Sequence, residues 1–93
     1  MIAGFSCKDT EKIFKGEYTK KWDANVRRRG QMKLDILDAA ISLEDLKVPP
    51  GNRLHALKDD FSGYYSIFIN MQWRVIFKWE DNNASSVRII DYH

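Results

Sequence analysis

The chain has 93 residues, 44% of them hydrophobic, with 15 Lys and Arg against 13 Asp and Glu, a formal net charge of +2 and a single cysteine. That length is expected to make one domain, residues 1–93, burying roughly 60–65% of the surface of its unfolded chain. It excludes an internal disulfide framework, since Cys7 has no partner, and the weak net charge is by itself no argument for a polyanion partner. The first residues carry no basic segment followed by an apolar stretch, and no run approaches the roughly 20 apolar residues of a membrane span, so the expected location is the cytoplasm, with no membrane partner.

In chain order, Ile2 to Ser6 reads as a short strand, and Asp9-Thr10-Glu11 opens a brief helix with Ile13 and Phe14 facing inward, closed near Gly16. From about Asp23 to Lys47, apolar residues recur at helical spacing: Met32, Ile36, Ala39 or Ala40, and Leu43, flanked by Leu34, Leu37 and Ile41. Gly30 sits inside this stretch, and because glycine costs a helix interior about 1 kcal/mol relative to alanine, a break or kink is expected there. Pro49-Pro50-Gly51-Asn52 then ends helical structure, because proline lacks the amide donor and pushes its predecessor out of the helical region.

The remainder alternates with period two. Arg53 to Lys58 reads as a strand entering the loop Asp59 to Gly63. Tyr65, Ile67 and Ile69 then share a face, as do Trp73, Val75, Phe77 and Trp79, and finally Val87 and Ile89. Short joints at Asn70-Met71-Gln72 and Asp81-Asn82-Asn83 predict consecutive hairpins, an antiparallel meander. Helices on one face of such a sheet give an α+β fold.

The sheet face turned away from the helices then carries the chemistry. It presents Arg74, Ile76 and Lys78 along the second long strand. Arg74 offers a planar fork of donors that matches phosphate oxygens, and Lys58 a mobile point charge; a cross-strand salt bridge is the plainer reading of either. Lys20, Lys21, Arg27, Arg28 and Arg29 concentrate positive charge in the first third, which fits a solvated helix face or a phosphate-tracking patch.

The chain has only two histidines, His55 and His93, and the second closes the run Asp91-Tyr92-His93 after the β-rich segment Ser86 to Ile90. Imidazole titrates near neutral pH, so each can exchange protons where most side chains cannot. Joined with Lys58 and Arg74, these residues contain what metal-free RNA cleavage needs: a proton acceptor for the ribose 2′-hydroxyl, a proton donor for the departing 5′-oxygen, and cations for the charge at phosphorus. A metal site built from the histidines and an aspartate lacks recognisable ligand spacing, and no cofactor is expected. A reading from a different class also stands: a non-catalytic RNA-binding or interaction module that uses the basic residues for affinity and Tyr64, Tyr65 and Trp73 for stacking.

The segments Pro49 to Lys58, Gly63 to Ile67 and Asn70 to Phe77, with the closing Asp91-Tyr92-His93, closely resemble the HigB toxins of bacterial toxin–antitoxin modules, in the RelE superfamily. The resemblance extends over essentially the whole chain, including Phe5 and Leu37-Asp38-Ala39-Ala40. It implies a RelE-like fold, N-terminal helices on a curved antiparallel sheet, acting as a ribosome-dependent messenger RNA endonuclease. By that similarity His55, Asp91, Tyr92 and His93 are active-site residues, with Lys58 and Arg74 on the scissile phosphate, and the basic residues from Lys20 to Arg29 suit ribosomal RNA. The resemblance also implies a HigA-type helix-turn-helix antitoxin, through which alone the toxin meets operator DNA.

Overall fold

The computed structural model describes residues 1–92; His93, one of the predicted site residues, lies outside the described residues. Helix α1 spans Lys8–Phe14 and stops where Gly16 adopts φ 76°, returning its N–H to the Ile13 carbonyl at 3.0 Å. Helix α2 spans Ala24–Ala39; the Asp23 carboxylate caps it by accepting the Val26 N–H at 2.9 Å, an arrangement worth about 1 kcal/mol.

This helix is shorter than the periodicity predicts. At Ala40 the backbone turns extended, and the Asp45 carboxylate accepts the N–H groups of Ile41 and Ser42 at 2.9 and 3.1 Å, starting a separate 3-10 turn over Leu43–Lys47. A side-chain oxygen thus takes the donors that a continuing helix would use. The buried stripe of α2 also differs from expectation: it runs Val26, Gly30, Lys33, Leu34, Leu37, while Met32 is 52% and Ile41 77% exposed. Nor does Gly30 break the helix. A Cβ there would lie 3.3 Å from Ile89 Cδ1 and 3.6 Å from Ile13 Cγ2, so glycine lets α2 approach both the sheet and α1. Close packing outweighs the propensity cost.

Four antiparallel strands follow: β1 (His55–Ala56), β2 (Tyr65–Phe68), β3 (Trp73–Glu80) and β4 (Asn83–Asp91), in the spatial order β1-β2-β3-β4. The β3–β4 hairpin closes on Asp81 and Asn82, both with positive φ, between the paired Glu80 and Asn83. That is the two-residue turn whose twist suits a hairpin. In the β2–β3 loop the Asn70 side-chain oxygen accepts the N–H groups of Gln72 and Trp73, each at 2.8 Å. A register shift between Ile76 and Lys78, with Ser86 at φ 52°, marks a bulge in β4 that keeps Val87 and Ala84 on the helix side. Ile2 and Phe5 bridge in parallel to Ala84 and Val87, so the predicted first strand survives as two bridges that cover the β4 edge.

The strand expected over Arg53 to Lys58 is reduced to two residues. Asn52 is fully buried: it accepts a hydrogen bond from Lys33 Nζ at 2.6 Å and donates to the Leu46 carbonyl at 3.1 Å. Pinned against α2, the Pro50–Asn52 turn reverses the chain through Arg53 at φ 47°, and Lys58 already begins the next turn, Asp59–Phe61. The α+β arrangement itself is as expected. Ile13, Leu34 and Leu37 from the helices meet Ile67, Val75, Phe77 and Ile89 of the sheet in one core, each such side chain worth about 1.5–3 kcal/mol on burial. No helix of the described residues is long and apolar enough to cross a membrane.

Candidate active site

Strand register determines which side chains share the face opposite the helices. His55 pairs with Ser66, Ser66 with Ile76 and Ile76 with Arg88, forming one transverse row; Phe68, Arg74 and Ile90 form the next. Tyr92, two residues beyond Ile90, continues on that face, its N–H donated to the Gln72 carbonyl at 2.9 Å. Leu57 and Ile76 are buried here but stand apart from the main core cluster, which gives this face an apolar floor of its own.

Over that floor lies an open cleft of about 390 Å³ lined by Arg53, Leu54, His55, Arg74 and Tyr92. Its cations are carried on aromatic rings. The Arg53 guanidinium carbon lies 4.2 Å and that of Arg74 5.5 Å from the Phe68 centroid, and Arg74 is also 5.1 Å from the Tyr92 centroid. Such stacking holds an arginine fork in a narrow range of orientations while leaving its edge donors available to an anion. The cleft thus combines an imidazole, a phenol and two guanidiniums.

Of the residues singled out in the sequence, His55, Arg74 and Tyr92 come together here. Asp91 does not line the cleft: it pairs with Trp73 in register, on the opposite side of the sheet from Tyr92, and its carboxylate accepts the Gln72 side-chain amide at 3.1 Å. Lys58 is exposed at the start of the Asp59–Phe61 turn and is not among the lining residues either.

The basic residues of the first third sit in the helix layer. Lys20, Lys21 and Arg28 are exposed, and Lys21 Nζ lies 5.2 Å from the Trp22 ring. Arg27 serves the fold, donating to the Trp22 carbonyl at 2.6 Å and lying 4.8 Å from the Tyr18 ring. Arg27, Arg28 and Arg29 are consecutive on α2 and so point about 100° apart. Burial, with Arg29 as a lesser cause, holds the Lys33 ammonium below its ordinary pKa range. Of the aromatics considered for stacking, Tyr65 stacks on Phe77 and Trp73 meets Trp22 edge-on, both on the core side, whereas Tyr64 lies outward beneath Lys78.

Arg53 and Phe68 were not singled out from the sequence. A signal for Phe68 was present, since period-two alternation with Ile67 and Ile69 turns it outward, and an outward aromatic on a cationic face is informative. Arg53 depends on a left-handed backbone that local sequence does not announce.

The architecture is that of known bacterial toxins. A chain of the YoeB–YefM toxin–antitoxin complex from Staphylococcus aureus superposes with a TM-score of 0.63 at 19% identity, covering 100% of this chain and 98% of that one. YafQ from Escherichia coli gives 0.57 at 18% identity, over 98% of this chain and 93% of its own. Identities this low speak for the fold alone, and the fold is the RelE-like toxin fold. Residues 3–93 match the family described as the RelE-like toxin of type II toxin-antitoxin system HigB, and the chain belongs to that family. The Endoribonuclease HigB of Proteus vulgaris is 30% identical over 93 residues, 100% of both chains. Toxin HigB-1 of Vibrio cholerae is 50% identical over 52 residues, 56% of this chain and about half (55%) of that protein's length. The family is described by its place in type II toxin–antitoxin systems, and the Staphylococcus aureus structure is itself a toxin–antitoxin complex.

Proposed function

We propose that the chain is the toxin of a type II module that cleaves messenger RNA on the ribosome, in the cytoplasm, and so arrests translation and growth. It is an endoribonuclease. The observation that carries this reading is the convergence of His55, Arg74 and Tyr92 in one cleft of a chain aligned end to end with a relative named an endoribonuclease.

The reaction needs no group beyond the chain's own side chains. The ribose 2′-oxygen attacks the adjacent phosphorus, its proton passing to one imidazole of the pair His55 and His93; the P–O5′ bond breaks and the leaving oxygen takes a proton from an acid, leaving a 2′,3′-cyclic phosphate and a 5′-hydroxyl. Arg74, with Lys58 as a second cation, stabilises the charge that grows on the phosphoryl oxygens. Tyr92 orients the ribose or stacks on a base. Asp91 acts from the other side of the sheet, holding the end of β4 through Gln72 and so orienting its neighbour Tyr92. Lys20, Lys21 and the Arg27 to Arg29 segment, on the helix layer away from the cleft, suit contacts with ribosomal RNA, leaving the cleft to the messenger. The antitoxin is of the HigA helix-turn-helix type and carries the operator contacts.

The test is inducible expression without antitoxin, followed by mapping of transcript ends. New 5′ ends on translated messages, abolished by His55→Ala and by His93→Gln in variants that still bind antitoxin, are the expected result. Growth arrest without cuts, or cuts that persist in both variants, would reject it.

A further inference from the structure

The face that carries the cleft continues beyond it. Along β3 the outward positions run Arg74, Ile76, Lys78; Arg74 belongs to the cleft, Ile76 is buried, and Lys78 opens a second group. Lys78 Nζ lies 5.3 Å from the Tyr64 ring centroid, and on β4 the Arg88 guanidinium carbon lies 5.9 Å from the Phe61 ring. Phe61 and Tyr64 meet edge to face with centroids 6.1 Å apart. Two cations therefore rest on a joined pair of rings.

The fold makes little use of these charges. Ion pairs among the described residues are Lys15–Glu11 and Lys47–Glu44, on other elements; neither Lys78 nor Arg88 takes part in one, although Asp59 and Asp60 share the turn of Phe61. Arg88 Nε is buried without a hydrogen-bond partner, and so is Ser66 Oγ on the same transverse row, the row that begins with His55. Structural arginines on sheets usually hydrogen-bond to a carboxylate or carbonyl, and buried polar atoms without partners are few in folded chains. A guanidinium held by packing on a ring keeps its fork for something outside the chain.

We propose that Phe61, Tyr64, Lys78 and Arg88 form a second subsite for single-stranded RNA, which takes a nucleotide flanking the cut: its phosphate on the two cations and its base against the Tyr64–Phe61 pair. The inference rests on the nuclease reading of the cleft. Arg74 and Lys78, four residues apart on one strand, are separated by about 14 Å, which places the second group beside the reacting nucleotide rather than on it. An acidic peptide would satisfy the charges alone. Rings interleaved with cations, in line with the cleft, favour nucleic acid, whose bases stack on any aromatic surface while its backbone meets the charges.

The test uses the full chain and a nine-nucleotide 2′-O-methyl RNA, which lacks the attacking hydroxyl and stays intact. Lys78→Gln and Tyr64→Ala, both at partly exposed heads, each weaken binding about fivefold or more. Lys78→Gln combined with Arg88→Gln flattens the dependence of log affinity on log salt by about 0.7, the value for one single-strand phosphate contact. A 4-thiouridine at one end of the RNA crosslinks to the segment containing Phe61 and Tyr64, and in cleavage assays KM rises while kcat stays within about twofold. Unchanged affinity, salt slope and KM in folded Lys78→Gln and Tyr64→Ala variants of a chain that still cuts RNA would overturn the subsite and leave the nuclease intact. Loss of antitoxin binding with RNA affinity unchanged would assign the face to protein and overturn it as well. A wild-type chain that neither binds this RNA nor cuts messages on translating ribosomes would remove both readings together.

Discussion

Gln72 donates its side-chain amide to Asp91 at 3.1 Å on the side of the sheet opposite His55, while its main-chain carbonyl accepts the Tyr92 N–H at 2.9 Å. One residue of the β2–β3 loop thus grips Asp91, the last residue of β4, and Tyr92 just beyond it, one on each side of the sheet. Asp91→Asn keeps an oxygen for the Gln72 amide, whereas Asp91→Ala removes it. Positioning therefore predicts a smaller loss of cleavage for Asn than for Ala, with Gln72→Ala reducing the rate about tenfold or more. Single-turnover rates for the three variants decide; equal losses for Asn and Ala would mean that the carboxylate charge itself acts.

Arg74 lies between the Phe68 and Tyr92 rings, and lysine cannot reproduce a planar fork stacked in that way. Arg74→Lys is therefore expected to lose about 10²–10³ in cleavage rate, nearly as much as Arg74→Ala. Arg53→Ala should also weaken RNA binding. Thermal unfolding of all three should stay within about 1 kcal/mol of wild type, because none of the side chains belongs to the buried core.

Asn52 joins Lys33 to the carbonyls of Leu46 and Val48. Asn52→Ala leaves a buried ammonium without its oxygen and is expected to cost about 3 kcal/mol in a denaturant titration. Because the same turn sets up Arg53, the variant should also lose cleft activity at temperatures where it remains folded.

Hydrogen bonds from the Ser42 and then the Ile41 backbone hold the Asp45 carboxyl below its ordinary pKa of 3.8. Between its lowered value and 3.8 the unfolded chain binds more protons than the folded one, so stability rises with pH across that window. The contribution is complete above 3.8 and disappears as pH falls through the lowered value. Melting temperatures of wild type and Asp45→Asn should therefore converge in strong acid and separate above it.

The meander was legible because its alternation is strict: Trp73, Val75, Phe77 and Trp79 inward, Arg74 and Lys78 outward, as the register shows. The same alternation places Asp91 with Ile89 and Tyr92 with Ile90, so the separation of Asp91 from the cleft was readable at two-residue resolution. The end of α2 was not readable in this way, because it depends on the Asp45 carboxylate reaching back to Ile41 and Ser42. Gly30 looked like a break because propensity is a local quantity, and the Ile89 and Ile13 side chains that call for glycine are distant in sequence.

Phe68 already has a guanidinium on it from each of two different segments, Arg53 from the turn before β1 and Arg74 from β3. Long arginine side chains normally surrender rotamer freedom when they close on an anion, by about 2 kcal/mol each at most. Here much of that disorder is removed when the sheet assembles. A polyanion arriving at this face meets a rigid host, and its capture is governed by how fast opposite charges find one another rather than by any rearrangement of the protein.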